Sequence, residues 1–530
     1  MADCKEDELH VEQRAASSQS DIRTDAESQA PFNRSTDVEV EVFPEDRNVG
    51  YLEYRQGQDI DTSSKEALRV RRKIDLVILP IFFVTQCLQF MDRTALNYAN
   101  LFGYQQALSL HGTQFNYLSA IVYAGYFFGQ YPCGWLIGRY PAQKVLSITC
   151  LFWGLMVLLL TQCHNYGSAM AVRFLMGAFE AAVTPGLTLM TGFWYTRAEI
   201  PLRQCIWYSS LGFGGIIGSY ISMGISTLPE SSSPARWQLI FYILGAVTIA
   251  WSAVLWFCLS DTPTSARFLS HPERLIAVAR VASNTTGLKS QSFDRHQALL
   301  SLYDWKTILI FLSTFAAAIP NGVLQSFSTV IIRDLGFSTT KTTQLKSVGD
   351  AIQIVALLIA GIITLNVPNT RLLTATAANI ICTTSAALMA FLPRQHPWPR
   401  LIAFWLTNTQ SVSFTIALTL ITSNMAGYSH RASASALVFT AYCWGNFAGP
   451  FVVRQDEAPE YRSAAWGLLG GYAVKTVCQG LLLAGLWWGN RTRDRRWGVV
   501  VVGGEEERVA REMGMRGRTE WEIKGFRYVL

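Results

Sequence analysis

Charge is scarce in this chain: of 530 residues only 15% are Asp, Glu, Lys or Arg, against about a quarter in ordinary soluble proteins. So thin a charged surface argues against a soluble enzyme or a nucleic-acid binder. Catalytic patterns are missing too. No Ser-His pairing, His-Glu-x-x-His string or paired aspartates occur, and the seven histidines cluster nowhere. The ten cysteines form no Cys-x-x-Cys pair and do not alternate with His at metal-ligand spacing. They read as buried small hydrophobes. Gly212, Gly214, Gly215 and Gly218 are not followed by Lys-Ser/Thr, so they make no phosphate loop. A cleavable signal peptide is not expected either, since no short apolar stretch follows a basic start near Met1. The expectation is no enzyme, no metal and no cofactor.

What is present is apolar sequence, half of the chain. Runs long enough to cross about 30 Å of hydrocarbon fall near 74–98, 115–136, 145–163, 168–193, 204–227 and 237–259. A second set lies near 304–332, 346–366, 371–392, 400–423, 431–453 and 464–489. The expected fold is an all-α membrane protein of twelve transmembrane helices, in an N-terminal bundle (74–260) and a C-terminal bundle (304–489). A polar linker, 261–303, separates them, and tails occupy 1–73 and 490–530, with a short helix expected around Glu505–Met513. The first 68 residues carry net charge −10, leaving +16 on the remainder. Such a polar segment cannot offset its chain entropy by burial and is expected to be disordered.

Orientation follows from short basic segments. With the amino terminus inside, twenty Lys or Arg fall on the cytoplasmic side, among them Arg69, Arg71, Arg72, Arg139, Arg197, Arg371 and Arg493, against eight opposite. Both termini and the linker are therefore expected in the cytoplasm. The sequons at Asn33, Asn284 and Asn490 fall on the same side, where glycosylation does not occur. Trp135, Trp194, Trp237 and Trp305, at span edges, read as interfacial anchors.

An ionisable group inside a span is costly unless paired or hydrated, and so is a functional candidate. Asp92 and Arg93 end the first span, and Arg173 and Glu180 share the fourth. The latter two are separated by two turns, on one face with heads roughly 10 Å apart. Asp92 and Arg93 diverge by about 100°, so pairing is expected between helices. In the functional reading, Arg93 and Arg173 bind a substrate carboxylate through their two-pronged guanidinium, while Asp92 and Glu180 carry protons. The alternative is a structural charge network. Asn321, Gln325 and Asn446 offer amides at membrane depth; Asn446 sits in Gly445-Asn446-Phe447-Ala448-Gly449-Pro450, where Gly and Pro suggest a bendable helix. Lys346 and Asp350 read as an i,i+4 pair, and Lys475 has no evident partner.

These residues resemble the major facilitator superfamily, in particular the fungal allantoate and nicotinate permease-like branch of the anion:cation symporters. The resemblance covers about residues 70–490 and rests on Met91-Asp92-Arg93-Thr94, Arg173…Gly177…Glu180…Pro185, and Gly192-Phe193-Trp194-Tyr195 with Glu199 and Arg203. Leu259-Ser260-Asp261-Thr262-Pro263, Asn424-Met425-Ala426-Gly427, the Gly445–Pro450 string and Phe526-Arg527-Tyr528 complete it. It implies alternating access and proton-coupled uptake of a small organic anion by a monomer in the plasma membrane. The proton gradient is then the driving force, with Arg93, Arg173, Asn321 and Asn446 on the substrate and Asp92 and Glu180 on the proton. The superfamily's loop between helices two and three usually carries a gating Asp, absent here; only Gly134 and Arg139 match it. Alternatives are an exporter or facilitator of a neutral or cationic compound, and a membrane sensor that does not transport.

Overall fold

The computed structural model describes residues 64–284, 294–337, 339–393, 397–453, 462–500 and 504–530, with Glu53, Gln56, 60–62 and Glu457 besides. The expected disorder of the N-terminal tail falls almost wholly outside the described residues.

Every expected apolar run forms a helical span, and no strand occurs among the described residues. The N-terminal six are Lys65–Leu101, Gln114–Arg139, Ala142–Leu159, Tyr166–Glu180 continued by Val183–Trp194, Ile200–Tyr208 continued by Ser210–Ser226, and Arg236–Cys258. The C-terminal six are Trp305–Asp334, Thr339–Asn366, Arg371–Phe391, Pro397–Leu406 continued by Gln410–Asn424, Tyr428–Val452, and Arg462–Trp497. The first begins nine residues before its apolar run because Ser64 caps it, its hydroxyl accepting the Ala67 N–H at 3.2 Å. Charge at this end of the helix is met by partners: Lys73 pairs with Glu273 at 2.8 Å and Asp75 with Arg203 at 2.9 Å. The linker is not plain loop. It holds helices His271–Ala282 and Arg295–Tyr303, and the C-terminal tail holds Glu505–Met515.

Within the N-terminal bundle the second span packs on the fourth, the third on the sixth, and the first on the fifth and sixth. In the C-terminal bundle the seventh packs on the eleventh and twelfth, and the ninth on the tenth and twelfth. The bundles meet where the second span lies on the eleventh and the fifth on the eighth. Nine described helices are long and apolar enough to cross a membrane. The others are the second, fifth and eleventh spans, all at this meeting surface. They face protein rather than lipid on that side, and can carry amides and hydroxyls there: Gln130 donates to Thr440 at 2.7 Å.

Local details depart from expectation at two of the four tryptophans. Trp135 and Trp305 are exposed, as anchors should be, but Trp194 and Trp237 are buried. Trp194 stacks on Phe268 of the linker and Trp237 meets Tyr104 edge-on. The Gly445–Pro450 string does not interrupt its helix, which runs unbroken over Tyr428–Val452. Gly445 instead lets the seventh span approach: a Cβ there would lie 2.5 Å from the Phe315 carbonyl. Gly427, which starts the eleventh span, has φ +82°, and a Cβ on it would lie 2.7 Å from Gln297 Oε1.

The face carrying the linker, here the linker face, is closed by the chain's last residues. Asn424 and Asn490 each clasp a tail peptide, of Val529 and Tyr528 respectively, with two hydrogen bonds of 2.8 Å. Arg493 donates to the carbonyls of Glu520 and Phe526 at 2.8 and 3.1 Å, and the Arg371 N–H to that of Leu530 at 3.0 Å. From the other bundle, the Arg197 guanidinium lies 4.4 Å over the Phe526 ring.

Candidate functional site

The fourth span breaks after Glu180 because Pro185 has no N–H to give the carbonyl of Ala181. The break sets Glu180 facing the first span, where Arg93 Nε donates to Glu180 Oε1. This is the pairing between helices expected for Arg93. The guanidinium also donates through Nη1 to the Tyr442 hydroxyl of the eleventh span at 2.9 Å. It lies 5.1 to 5.8 Å from the ring centres of Tyr126, Tyr123 and Tyr442. Glu180 is fully buried, and its Oε2 has no hydrogen-bond partner among the described residues. Gln89 and Thr184 hydrogen-bond each other at 2.8 Å beside it.

Asp92 turns the other way. Its Oδ2 accepts from Thr248 of the sixth span at 3.3 Å, its Oδ1 has no hydrogen bond, and no cation pairs with it among the described residues. Arg173 does not meet Asp92. Its Nε donates to the Leu118 carbonyl of the second span at 2.8 Å, and no carboxylate lies within ion-pair distance among the described residues. The reason is steric: the second and fourth spans pack so closely at Gly177 and Gly125 that Arg173 faces backbone. The expected four-residue cluster is thus one ion pair, Arg93–Glu180, with Asp92 and Arg173 directed elsewhere.

A cavity of about 80 Å³ lies between the bundles. Phe90, Thr94 and Tyr208 wall it on the N-terminal side. Asn321, Gln325, Lys346, Asp350, Gln410, Phe414, Tyr442 and Lys475 wall it on the other. Asn321 and Asn446 do come together, at 2.8 Å, but Asn446 stands behind the wall, where it is fully buried and also donates to the Tyr442 carbonyl. Gln410 donates to Asn321 at 3.3 Å and accepts from Tyr472 at 3.0 Å.

Three charged residues of this cavity were given no role by the sequence. Lys346 pairs with Asp350 at 3.1 Å and donates to the Tyr98 hydroxyl of the first span at 3.3 Å. Asp350 is set against the fifth span so tightly that a Cβ on Gly215 would lie 2.5 Å from its Oδ2. The pair therefore joins the bundles rather than decorating the end of a helix. Lys475 is buried and donates to the Gln410 carbonyl at 3.2 Å. A signal existed: Leu468, Tyr472, Lys475, Gln479 and Leu482 recur at helical spacing along the buried stripe of the twelfth span.

Contacts between the bundles lie on both sides of the cavity. On one side, Tyr123 donates to Gln325 at 2.6 Å, and Tyr117 meets Phe451 with ring centres 5.0 Å apart. At the linker face, Arg197 Nε donates to the Ser423 carbonyl at 2.8 Å, and Arg371 donates to the Arg197 carbonyl. Gly134 and Arg139 line a separate cavity of about 490 Å³ with Leu299, Leu302 and Tyr428. Arg139 lies 5.8 Å over the Trp135 ring and has no ion pair among the described residues.

Beside them, Lys306 stands between Glu520 (2.5 Å) and Asp304 (3.5 Å), with His430 3.6 Å from each carboxylate. Asp304, His430 and Glu520 converge closely enough for a metal, but the Lys306 ammonium already supplies the cation. Burial alone would raise the Glu520 carboxyl; Lys306 and His430 outweigh it and hold it at about 2.

The sequence profile of the Major Facilitator Superfamily matches residues 82–450. An uncharacterised transporter of Schizosaccharomyces pombe is 33% identical over 437 residues, covering 82% of this chain and 83% of that one. The allantoate permease of Saccharomyces cerevisiae is 28% identical, covering 90% of this chain and 89% of the permease. Among solved structures, the proton:xylose symporter XylE superposes with a TM-score of 0.63 at 12% identity, over 79% of this chain and 96% of that one. Such low identity speaks for the fold alone. The profile over most of the chain, the fungal transporters along most of their length and the two six-helix bundles agree: this chain is a multi-pass membrane transporter and belongs to the major facilitator superfamily.

Proposed function

We propose that the protein couples proton entry to uptake of a small organic anion, a ureide- or pyridine-carboxylate-like monocarboxylate, by alternating access. The linker face, with both termini, lies in the cytoplasm, and the membrane is the plasma membrane. The observation that carries the reading is the buried Arg93–Glu180 pair with Tyr442 of the other bundle on the same guanidinium. A proton arriving at Glu180 removes the charge that holds Arg93. The guanidinium is then free to take a carboxylate, and its link to Tyr442 loosens as it turns. Proton and anion thereby become conditions for one another, which is what symport requires. Asp92, a buried carboxyl beside Thr248 without a cation, is the second place a proton can sit. The 28% identity with an allantoate permease along nearly the whole chain supports the substrate class.

The test is uptake by a permease-deficient cell across a panel of small carboxylates, with and without a protonophore. Accumulation that collapses with the protonophore is expected. Uptake only of neutral or cationic compounds, or ligand binding with no flux in reconstituted vesicles, overturns the proposal.

A further inference from the structure

Among the cations of the spans near the bundle boundary, the Arg93 and Lys346 side chains are 10% exposed and Arg173 and Lys475 are buried. Two of them, Lys346 and Lys475, line the central cavity. Lys346 is neutralised by Asp350 at 3.1 Å. Lys475 is 2% exposed, and no carboxylate lies within ion-pair distance of it among the described residues. Among the described residues its one hydrogen-bond acceptor is the Gln410 main-chain carbonyl at 3.2 Å. An ammonium has three donors, and it is costly to bury one charged and so sparsely paired. The side chain of Gln410 is itself held, by Tyr472 and Asn321, so the carbonyl positions the ammonium at a fixed point of the cavity wall. Amides of Asn321 and Gln353 and the rings of Phe90 and Phe414 line the same space.

We infer that Lys475 is the standing anion anchor of the transport cavity: it receives the substrate's carboxylate in the C-terminal bundle. The inference rests on the proposed anion transport and names the residue that reads the charge. It separates two tasks that the sequence assigned together to the arginines. Arg93 is occupied by Glu180 and becomes available only after protonation, whereas Lys475 has no acid to displace. A carboxylate entering the cavity meets Lys475 first, and the aromatic and amide walls then select the body attached to it.

The experiment measures affinity of the purified full-length protein for a panel of small carboxylates, each paired with its neutral amide, nicotinate with nicotinamide among them. Wild type, K475M and K475R are compared. The ratio of carboxylate to amide affinity is read within each protein, so a general loss of packing cancels. An ammonium–carboxylate contact out of water supports a preference of about tenfold or more. K475M is expected to bring that ratio close to one, and K475R to keep most of it. A K475M protein that keeps the wild-type ratio, or loses carboxylate and amide binding in equal proportion, overturns the inference while anion transport stands. A wild type that favours no carboxylate over its amide overturns both. Should K475M not be recovered, K475C with and without an aminoethyl thiol reagent gives the same comparison, since the reagent restores the ammonium.

Discussion

Arg93 and Tyr442 stand on different bundles and share a hydrogen bond of 2.9 Å, while the same guanidinium is held by Glu180 within its own bundle. One planar cation thus spans the boundary that alternating access must open. Arginine suits the position, because its fork serves two acceptors in different directions.

Glu180→Gln removes the charge and keeps the shape. Proton-driven accumulation is expected to be abolished, while exchange of internal for external substrate persists. Reconstituted vesicles with an imposed pH gradient check this, and normal accumulation by the variant would sink the proton role. Tyr442→Phe keeps the ring and loses the hydroxyl, at an expected cost of about 1 kcal/mol in stability, read as a lower melting temperature.

Lys346 and Asp350 are buried together, so neither is expected to tolerate neutralisation alone. Asp350→Asn leaves an ammonium unpaired and should destabilise by about 3–5 kcal/mol. The double variant K346M/D350N should recover most of that loss, which yield and thermal melting in detergent would reveal. Equal damage from the single and double variants contradicts the pairing.

Arg173 spends its guanidinium on the Leu118 carbonyl, outside the central cavity. Arg173→Lys is therefore expected to lower the melting temperature and leave KM for the transported anion within about twofold. A tenfold rise in KM with unchanged stability would return it to the substrate.

The docking of the C-terminal tail depends on pH on the acid side. Glu520 is held at about 2, so its stabilisation is complete above its ordinary value of 4.5 and is lost as pH falls toward 2. Hydrogen exchange at residues 520–530, corrected for the intrinsic rate, should show full protection near pH 5–6 and growing loss as pH falls below about 4. Glu520→Gln should flatten that acid limb; an unchanged profile would mean that another group controls docking.

Spans and their order were legible because about twenty apolar residues leave a helix no alternative in lipid, and all twelve lie where the hydropathy placed them. The Arg93–Glu180 pairing was legible for a similar reason, since buried charges must be met. Its partner Tyr442 was not: a tyrosine at membrane depth carries no cost that announces a role. Arg173 was misjudged because spacing along one helix fixes a face and says nothing of which neighbour covers it. Lys346–Asp350 hid as an ordinary i,i+4 pair, because only the packing of the fifth span against the eighth places it between the bundles.

The docked tail also gives the protein a timetable. Residues 516–530 leave the ribosome after every span has been made, yet they supply the partners of Asn424, Asn490 and Arg493. Until Glu520 arrives, the Lys306 ammonium has Asp304 alone as a carboxylate partner among the described residues. These clasps can therefore form only once the twelve spans that they join have been made.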